Sequence, residues 1–310
     1  MNEFELIRRF FDRPAKNAVQ GVGDDCARLL LDRGMELAVT TDMLVEGRHF
    51  LPDAAPRTLG HKALAVNLSD LAACGAAPRW ITLAIGLKSA DEPWLGEFCE
   101  GLFSLAERFG VELVGGDTTR SERLTIAITA LGEVPRGQAL SRAGARPGDD
   151  VWVSGELGGA ALGLLHPELP QAAKRLHEPQ PRVALGIGLR GVASAAIDVS
   201  DGLVGDLGHV LERSGVGARL RYDAIPRAAA FERLGDRELE SDCVLSGGDD
   251  YELLFTAPAE RRAAIEALAG GMHLAVSRIG AIEARGDLQV LDPSGKPMRF
   301  KGGFDHFARR

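Results

Sequence analysis

Paired cysteines, long apolar runs and a surplus of positive charge are all missing from this 310-residue sequence. Its four cysteines, Cys26, Cys74, Cys99 and Cys243, lie far apart and form no C-x-x-C pair, which argues against a disulfide framework and a structural zinc site. A reducing, cytoplasmic setting is expected. No apolar run approaches the ~18 residues that span a bilayer. The N-terminal stretch MNEFELIRRFFDR is too charged for a secretory segment, so no membrane partner is expected. Against 44 Asp and Glu stand only 36 Lys and Arg, a net charge of −8. Neutralising nucleic-acid phosphates takes the opposite balance, so no nucleic-acid partner is expected either.

Familiar chemical signatures are missing too. There is no G-x-x-x-x-G-K-[ST] phosphate loop, no G-x-S-x-G elbow and no H-E-x-x-H. GVGDDC at 21–26 has a cysteine where a dinucleotide fingerprint needs its third glycine. The seven histidines are scattered, which disfavours a zinc centre; His49 and His306 are the two in suggestive surroundings.

What is present is an ordinary globular composition, 45% hydrophobic and 26% charged, with a length that suggests two domains. Glycine is high, 38 residues or about 12% against the usual ~7%, and the glycines lie beside aspartates rather than in low-complexity tracts. Residues 36–42 (ELAVTTD) read as a strand that delivers Thr40, Thr41 and Asp42 to its C-terminal end. A helix over 58–73 follows, interrupted or recapped at Ser69-Asp70. Next come a buried strand at 80–87 and a helix whose apolar residues from Leu95 to Phe109 share one face, opened by a Ser89-x-x-Glu92 capping box. Strands at 111–116 and 124–134 complete a sheet covered by helices.

The Gly-, Pro- and charge-rich stretch at 135–150 marks a boundary, giving domains at 1–140 and 141–310. Beyond it the pattern predicts a strand at DVWVSG, a small-residue helix in GELGGAALGLL and a connection over 166–182. A strand, turn and helix follow in AAIDVSDGLVGDLGHVLERSG. The last third reads as a strand around LSGGDDYELLFTA, a helix from about Pro258 to Leu268 stopped by Gly270-Gly271, and short final strands. LSDL at 68–71 precedes GGDT at 115–118 much as VSDGL at 199–203 precedes GGDD at 247–250. That echo suggests two related half-units, each with an Asp at a helix start and another after a double glycine.

The candidates for chemistry are acidic clusters at element ends: Asp24-Asp25, Thr40-Thr41-Asp42, Ser69-Asp70, Gly116-Asp117, Asp198 with Ser200-Asp201, and Asp249-Asp250. One such Asp is most often a helix cap or turn residue. Several converging without lysines would repel one another unless divalent cations lay between them, and hard oxygen donors of this kind suit Mg²⁺. Glycines beside them let backbone N–H groups approach an anion.

In order along the chain, GDDCA, TTDMLVEGRHF, KALAVNLSDLAACGA, GGDTTR, SRAGARPGD, IDVSDGLVGDLGH, LSGGDDYEL and GFDHF closely resemble the thiamine-monophosphate kinases, a family in the superfamily of aminoimidazole-ribonucleotide synthetase. The resemblance spans essentially the whole chain. It implies an α/β (α+β) fold of two domains, the N-terminal one forming a β-barrel across a homodimer and the C-terminal one α/β. It also implies ATP and thiamine monophosphate as the molecules bound and turned over, with several Mg²⁺ ions. Carried over position by position, it assigns Mg²⁺ to Asp25, Thr40, Thr41, Asp42, Asp70, Asp117, Asp198 and Asp201, and ATP to Gly116, Asp117, Arg142 and Ser200. It assigns thiamine monophosphate to His49, Asp249 and Phe304, and catalysis is expected to depend most on Asp42, Asp117 and Asp201. One departure stands out: the family usually shows GGED before YEL, and here Asp249 replaces the Glu.

The chemistry agrees with that assignment. The acceptor is a phosphate monoester, mostly dianionic at neutral pH, so no general base is needed. The obstacle is repulsion between two anionic phosphates that must meet in line. The planar fork of Arg142 suits a phosphate clamp, and Asp249 with Phe304 suits a cationic thiazolium. Selenophosphate synthesis would call for a reactive Cys in an N-terminal segment, whereas Cys26 lies inside the GDD motif. The hydrogenase-maturation relative ends in a cysteine, whereas this chain ends HFARR, and the purine-synthesis relative lacks the GRHF and GFDHF pair. A non-catalytic Ca²⁺-binding protein would need an acidic loop of the EF-hand type, which is absent.

Overall fold

The computed structural model describes residues 2–303. The chain forms two compact units, one from Met1–Leu71 with Ala76–Gly137 and one from Ala72–Gly75 with Gln138–Arg310.

The first unit runs α1 (Glu3–Leu6), β1 (Met35–Val45), α2 (Pro56–Ala73), β2 (Ala77–Leu87), α3 (Glu92–Phe109), β3 (Glu112–Arg120) and β4 (Thr125–Pro135). Its sheet has the order β1-β4-β2-β3, antiparallel except for β2 with β3. The two-residue period of the strands separates the faces. Leu44, Ile126, Ile128, Leu83 and Ile85 point into the core. On the other face Leu37, Val39 and Met43 of β1 stay 44%, 57% and 55% exposed, an apolar stripe that one chain leaves uncovered.

Helix α3 shows why the sequence folds this way. Asp91 caps it, accepting from Trp94 N–H at 3.2 Å, Pro93 sits in its first turn, and Gly110 ends it in the left-handed region at φ 66°. Leu95, Phe98, Leu102 and Leu105 are buried on one face, each contributing roughly 1.5–3 kcal/mol of transfer free energy. Helices α2 and α3 cross backbone to backbone: a Cβ at Gly101 would collide with the Arg57 carbonyl, and one at Gly60 with that of Phe98.

The second unit contains β5 (Asp150–Ser154), α4 (Gly159–Leu165), α5 (Pro170–His177), α6 (Val183–Gly188), β6 (Ala195–Asp198), α7 (Leu203–Ser214) and β7 (Gly217–Arg221). It continues with α8 (Ala230–Leu234), α9 (Arg237–Ser246), β8 (Leu253–Ala257), α10 (Arg262–Gly271), β9 (Val276–Glu283) and β10 (Leu288–Leu291). The sheet order is β10-β7-β9-β5-β8-β6, antiparallel except for β10 with β7. Its core gathers Val151, Val153, Ile197, Leu254 and Phe231 with the apolar stripe of α7, Leu203, Leu207, Val210 and Leu211, spaced as a helix face requires.

Several sequence expectations are corrected. Strand β1 continues to Val45 because β4 pairs with its whole length, so Thr40, Thr41 and Asp42 sit within the strand and not at its end. Helix α2 runs unbroken through Ser69-Asp70, with Ser69 fully buried inside it. The echo therefore fails structurally: LSDL is the last stretch of a helix, whereas VSDGL follows a strand. Asp91, not Ser89, caps α3. The Gly-Gly-Asp-Thr run lies inside β3. The 166–182 connection contains α5, which starts on Pro170, and Leu245-Ser246 close α9, leaving only Leu253–Ala257 as a strand. Gly270 and Gly271 lie within α10, and a 3₁₀ turn, Ala259–Arg261, precedes it.

Candidate active site

In the first unit the inward residues of β1 meet the last two turns of α2. The Thr40 hydroxyl donates to the Asp70 carboxylate. The Asp42 N–H, at the open edge of the sheet, donates to Asn67 Oδ1 at 3.0 Å, and Asn67 Nδ2 is held in turn by the Ala63 carbonyl at 3.1 Å. Asn67 is wholly buried and so fixes the strand against the helix. Thr41 faces the other way, its hydroxyl 2.8 Å from that of Thr129. His49 Nδ1 accepts from the Val45 N–H at 3.0 Å, which closes the turn after β1 and puts the ring proton on Nε2. Asp25 lies in an exposed turn, its N–H donating to Asp24 Oδ1 at 2.8 Å.

The sheet register separates Asp117 from this group. Asp42 shares an inward row with Ile128, Leu83 and Gly116, whereas Asp117 shares the outward row of Met43, Ala127 and Ala84. Three strand spacings, about 14 Å along the sheet, lie between Asp42 and Asp117, and their side chains leave opposite faces. Gly116 is required where it stands, because φ is 152° and a Cβ there would strike the Leu83 backbone.

In the second unit the DVSDG and GGDDY loops continue the β6–β8 ladder past its last pair, Asp198 with Leu253. Val199 N–H donates to Glu252 O, Tyr251 N–H to Val199 O and Asp249 N–H to Ser200 O, each at 2.8 Å. Asp249 and Tyr251 take left-handed backbones, φ 69° and 50°, a conformation costing of order 1–2 kcal/mol per residue. The Tyr251 hydroxyl lies 3.1 Å from Asp249 Oδ1 and donates to it. Asp198 is buried at the end of β6.

Three buried acids that the sequence reading did not assign hold these loops from behind. Asp206 accepts from the Ser200 and Asp201 N–H groups at 3.0 Å each. Asp250 reaches across the chain to accept from Gly158 N–H at 2.7 Å and Ala160 N–H at 3.2 Å, which anchors the start of α4. Glu252 accepts from the Ser154 hydroxyl at 2.6 Å and from Arg175 and Arg182. Burial pushes the carboxyls of Asp206 and Asp250 up to about 7, against the pull of their backbone donors. The positive charge of Arg142 opposes that rise for Asp206. The segment carrying Arg142 is tied to α7: Gly144 and Ala145 N–H donate to the Ser214 hydroxyl at 3.1 and 3.2 Å.

The assigned residues thus fall into groups: Thr40, Asp42 and Asp70 in the first unit, Asp198, Ser200, Asp201, Asp249 and Arg142 in the second. Phe304 and His306 lie outside the described residues. Among the described residues no three His, Cys, Asp or Glu side chains gather as a metal-holding group. The donors of the first unit are a hydroxyl and carboxylates, the hard oxygens that Mg²⁺ accepts. Burial raises the thiols of Cys99 to about 12 and Cys243 to about 11, which makes both poor nucleophiles at neutral pH.

Residues 23–134 match the family AIR synthase related protein, N-terminal domain, and residues 146–292 match AIR synthase related protein, C-terminal domain. The chain is 44% identical over 322 residues to thiamine-monophosphate kinase of Salmonella typhimurium, covering 99% of this chain and 98% of that protein. Among solved structures, thiamine-monophosphate kinase from Stenotrophomonas maltophilia is similar at 44% identity and TM-score 0.85, over 93% of this chain and 94% of that one. AaThiL, solved in complex with AMPPCP and TMP, is 33% identical with a TM-score of 0.78 over 90% and 89% of the two chains.

Proposed function

The chain belongs to the thiamine-monophosphate kinases, within the AIR synthase related proteins, and on that premise we propose that it transfers the γ-phosphate of ATP directly to thiamine monophosphate, giving ADP and thiamine diphosphate. The observation that carries this reading is the joining of two acidic loops by main-chain bonds, which sets Ser200 and Asp201 on one loop beside Asp249 on the other. A nucleotide end and a thiazolium end need such neighbouring but distinct polar groups.

Ser200 and the Arg142 fork would meet ATP phosphates, Arg by paired donors that a phosphate accepts in one plane. Asp249, held by the Tyr251 hydroxyl, would face the cationic ring of the acceptor, with His49 and Phe304 as further contacts. Asp25, Thr40, Asp42, Asp70, Asp198 and Asp201 fit Mg²⁺ by donor chemistry, as does the Thr41 hydroxyl, which leaves the face opposite to Thr40 and Asp42; the ions, when bound, would supply the charge that offsets repulsion between the two phosphates. The acceptor oxygen is already ionised, so no residue is needed as a base.

Within one chain Gly116 and Asp117 lie three strands across the sheet from Asp42, and the register turns the Asp117 side chain to the opposite face. We assign them to the neighbouring site of a homodimer. The exposed stripe of Leu37, Val39 and Met43 supports an assembly in which a second copy covers this face.

Incubation of the purified protein with Mg-ATP and thiamine monophosphate should give thiamine diphosphate and ADP in equal amounts. Absence of product, with turnover of a different superfamily substrate, would overturn the reading.

A further inference from the structure

We propose that Asp206 is a positioning residue that fixes the nucleotide-facing loop Asp198–Gly202 in its working shape before any ligand arrives. This inference rests on the kinase reading for the role of that loop, but its structural content does not. A single oxygen, Oδ2 of Asp206, receives two consecutive backbone N–H groups, those of Ser200 and Asp201, at 3.0 Å each. Consecutive N–H groups aimed at one point form a concavity that binds anions; here the chain fills it with its own carboxylate. The side chain is 2% exposed and sits one turn into α7, with its own N–H donating to the Gly202 carbonyl at 3.0 Å. The middle and the C-terminal end of the loop are therefore tied to one residue.

Other main-chain groups of the loop are used as well. Val199 N–H is taken by Glu252, and Val199 O and Ser200 O by Tyr251 and Asp249 of the GGDDY loop. Gly202 has φ 110°, and a Cβ there would press on the Ser246 backbone, so the turn has no room to relax toward that side. With their N–H groups consumed, Ser200 and Asp201 meet phosphate or cation through the Ser200 hydroxyl and the Asp201 carboxylate and not through their own amides. Asp206 makes this so without touching either ligand. Asp206 lies inside the IDVSDGLVGDLGH motif, yet the motif gives it no role: five residues after Asp201, in the first turn of a helix, it reads as an ordinary favourable charge near a helix N-terminus.

Three measurements test this. Hydrogen exchange of the free wild-type protein should show the Ser200 and Asp201 amides protected without nucleotide, and protected to within about twofold of that level with Mg-ATP. Rapid exchange of both until nucleotide is added would overturn the proposal. Asp206→Asn keeps one accepting oxygen and should leave the KM values for ATP and thiamine monophosphate within about threefold of wild type, whereas Asp206→Ala should raise the KM for ATP about tenfold or more and that for thiamine monophosphate less. If the folded Asn variant loses as much as Ala, the carboxylate acts directly on ligand and the positioning role is wrong. Should Ala fail to fold, Asn kinetics and wild-type exchange still decide. A wild-type protein that does not phosphorylate thiamine monophosphate would defeat the proposed function, while the exchange result would still judge whether Asp206 holds the loop.

Discussion

The two units present their acids in opposite ways. In the first, Thr40, Asp42 and Asp70 stand on a strand and a helix whose main-chain groups are consumed by regular structure, with Asn67 linking the two. In the second, Ser200, Asp201 and Asp249 stand on irregular loops, and buried carboxylates do the work that a ladder or helix does elsewhere. The first arrangement takes its precision from secondary structure. The second takes it from ionisable groups, and so inherits their sensitivity to substitution and pH.

If the residues of both units serve the same chemistry, Asp42→Asn and Asp201→Asn should each lower kcat by about 10²-fold or more with unchanged thermal melting. Near-normal rates for either would break the comparison on that side. Asp117→Asn should match them, and mixing it with Asp42→Asn under conditions that exchange subunits should restore about a quarter of wild-type activity through mixed dimers. No recovery would place Asp117 within a site made by one chain.

Next in size is a stability difference. Glu252 is 1% exposed and compensates Arg175 and Arg182. Glu252→Ala should cost about 3 kcal/mol by chemical denaturation, because it strands two cations and the Ser154 hydroxyl. Asn67→Ala in the first unit should cost about 1–2 kcal/mol, leaving one strand-edge N–H without its acceptor. Equal costs would mean that the loops are no more dependent on their backing than β1 is.

The pH response is a smaller effect. The carboxyl of Asp250 is raised to about 7, so between pH 4 and 7 the folded chain holds a proton that the unfolded chain has released. The contribution of Asp250 to stability therefore falls as pH rises through that window and levels off above it. Denaturation midpoints of Asp250→Asn should be lower than wild type but lack this component, so the gap between the two proteins narrows from pH 5 to 7.5. The smallest effect expected is that of Tyr251→Phe, which removes the donor to Asp249. The KM for thiamine monophosphate should rise two- to tenfold, as for loss of about one hydrogen bond, with that for ATP unchanged.

Much of this was legible in the sequence where a period was strong. The alternation of Thr125–Pro135 and the apolar face from Leu95 to Ala106 identify β4 and α3 without ambiguity. Ser69-Asp70 misleads because such residues favour caps, yet tertiary burial carries them through a helix. Pro170 looks like a breaker, but at the first helical position its missing N–H costs nothing. The ligand candidates were visible as acids beside glycines. What holds them was not: Asp250, itself among those acids, bonds Gly158 from 92 positions away, and no local pattern encodes so distant a partner. Nor could spacing alone reveal that Asp42 and Asp117 leave opposite faces, because that depends on the bulge in β2–β3 pairing near Ile81 and Thr82.

The three main-chain bonds that join the DVSDG and GGDDY loops act as a ruler. They fix the offset between the hydroxyl of Ser200 and the root of the Asp249 side chain in units of backbone, which substitution does not rescale. Against that fixed scale, the one methylene by which Asp249 falls short of the family's usual glutamate is a change of reach and nothing else. Asp249→Glu would therefore measure how far the carboxylate stands from its target.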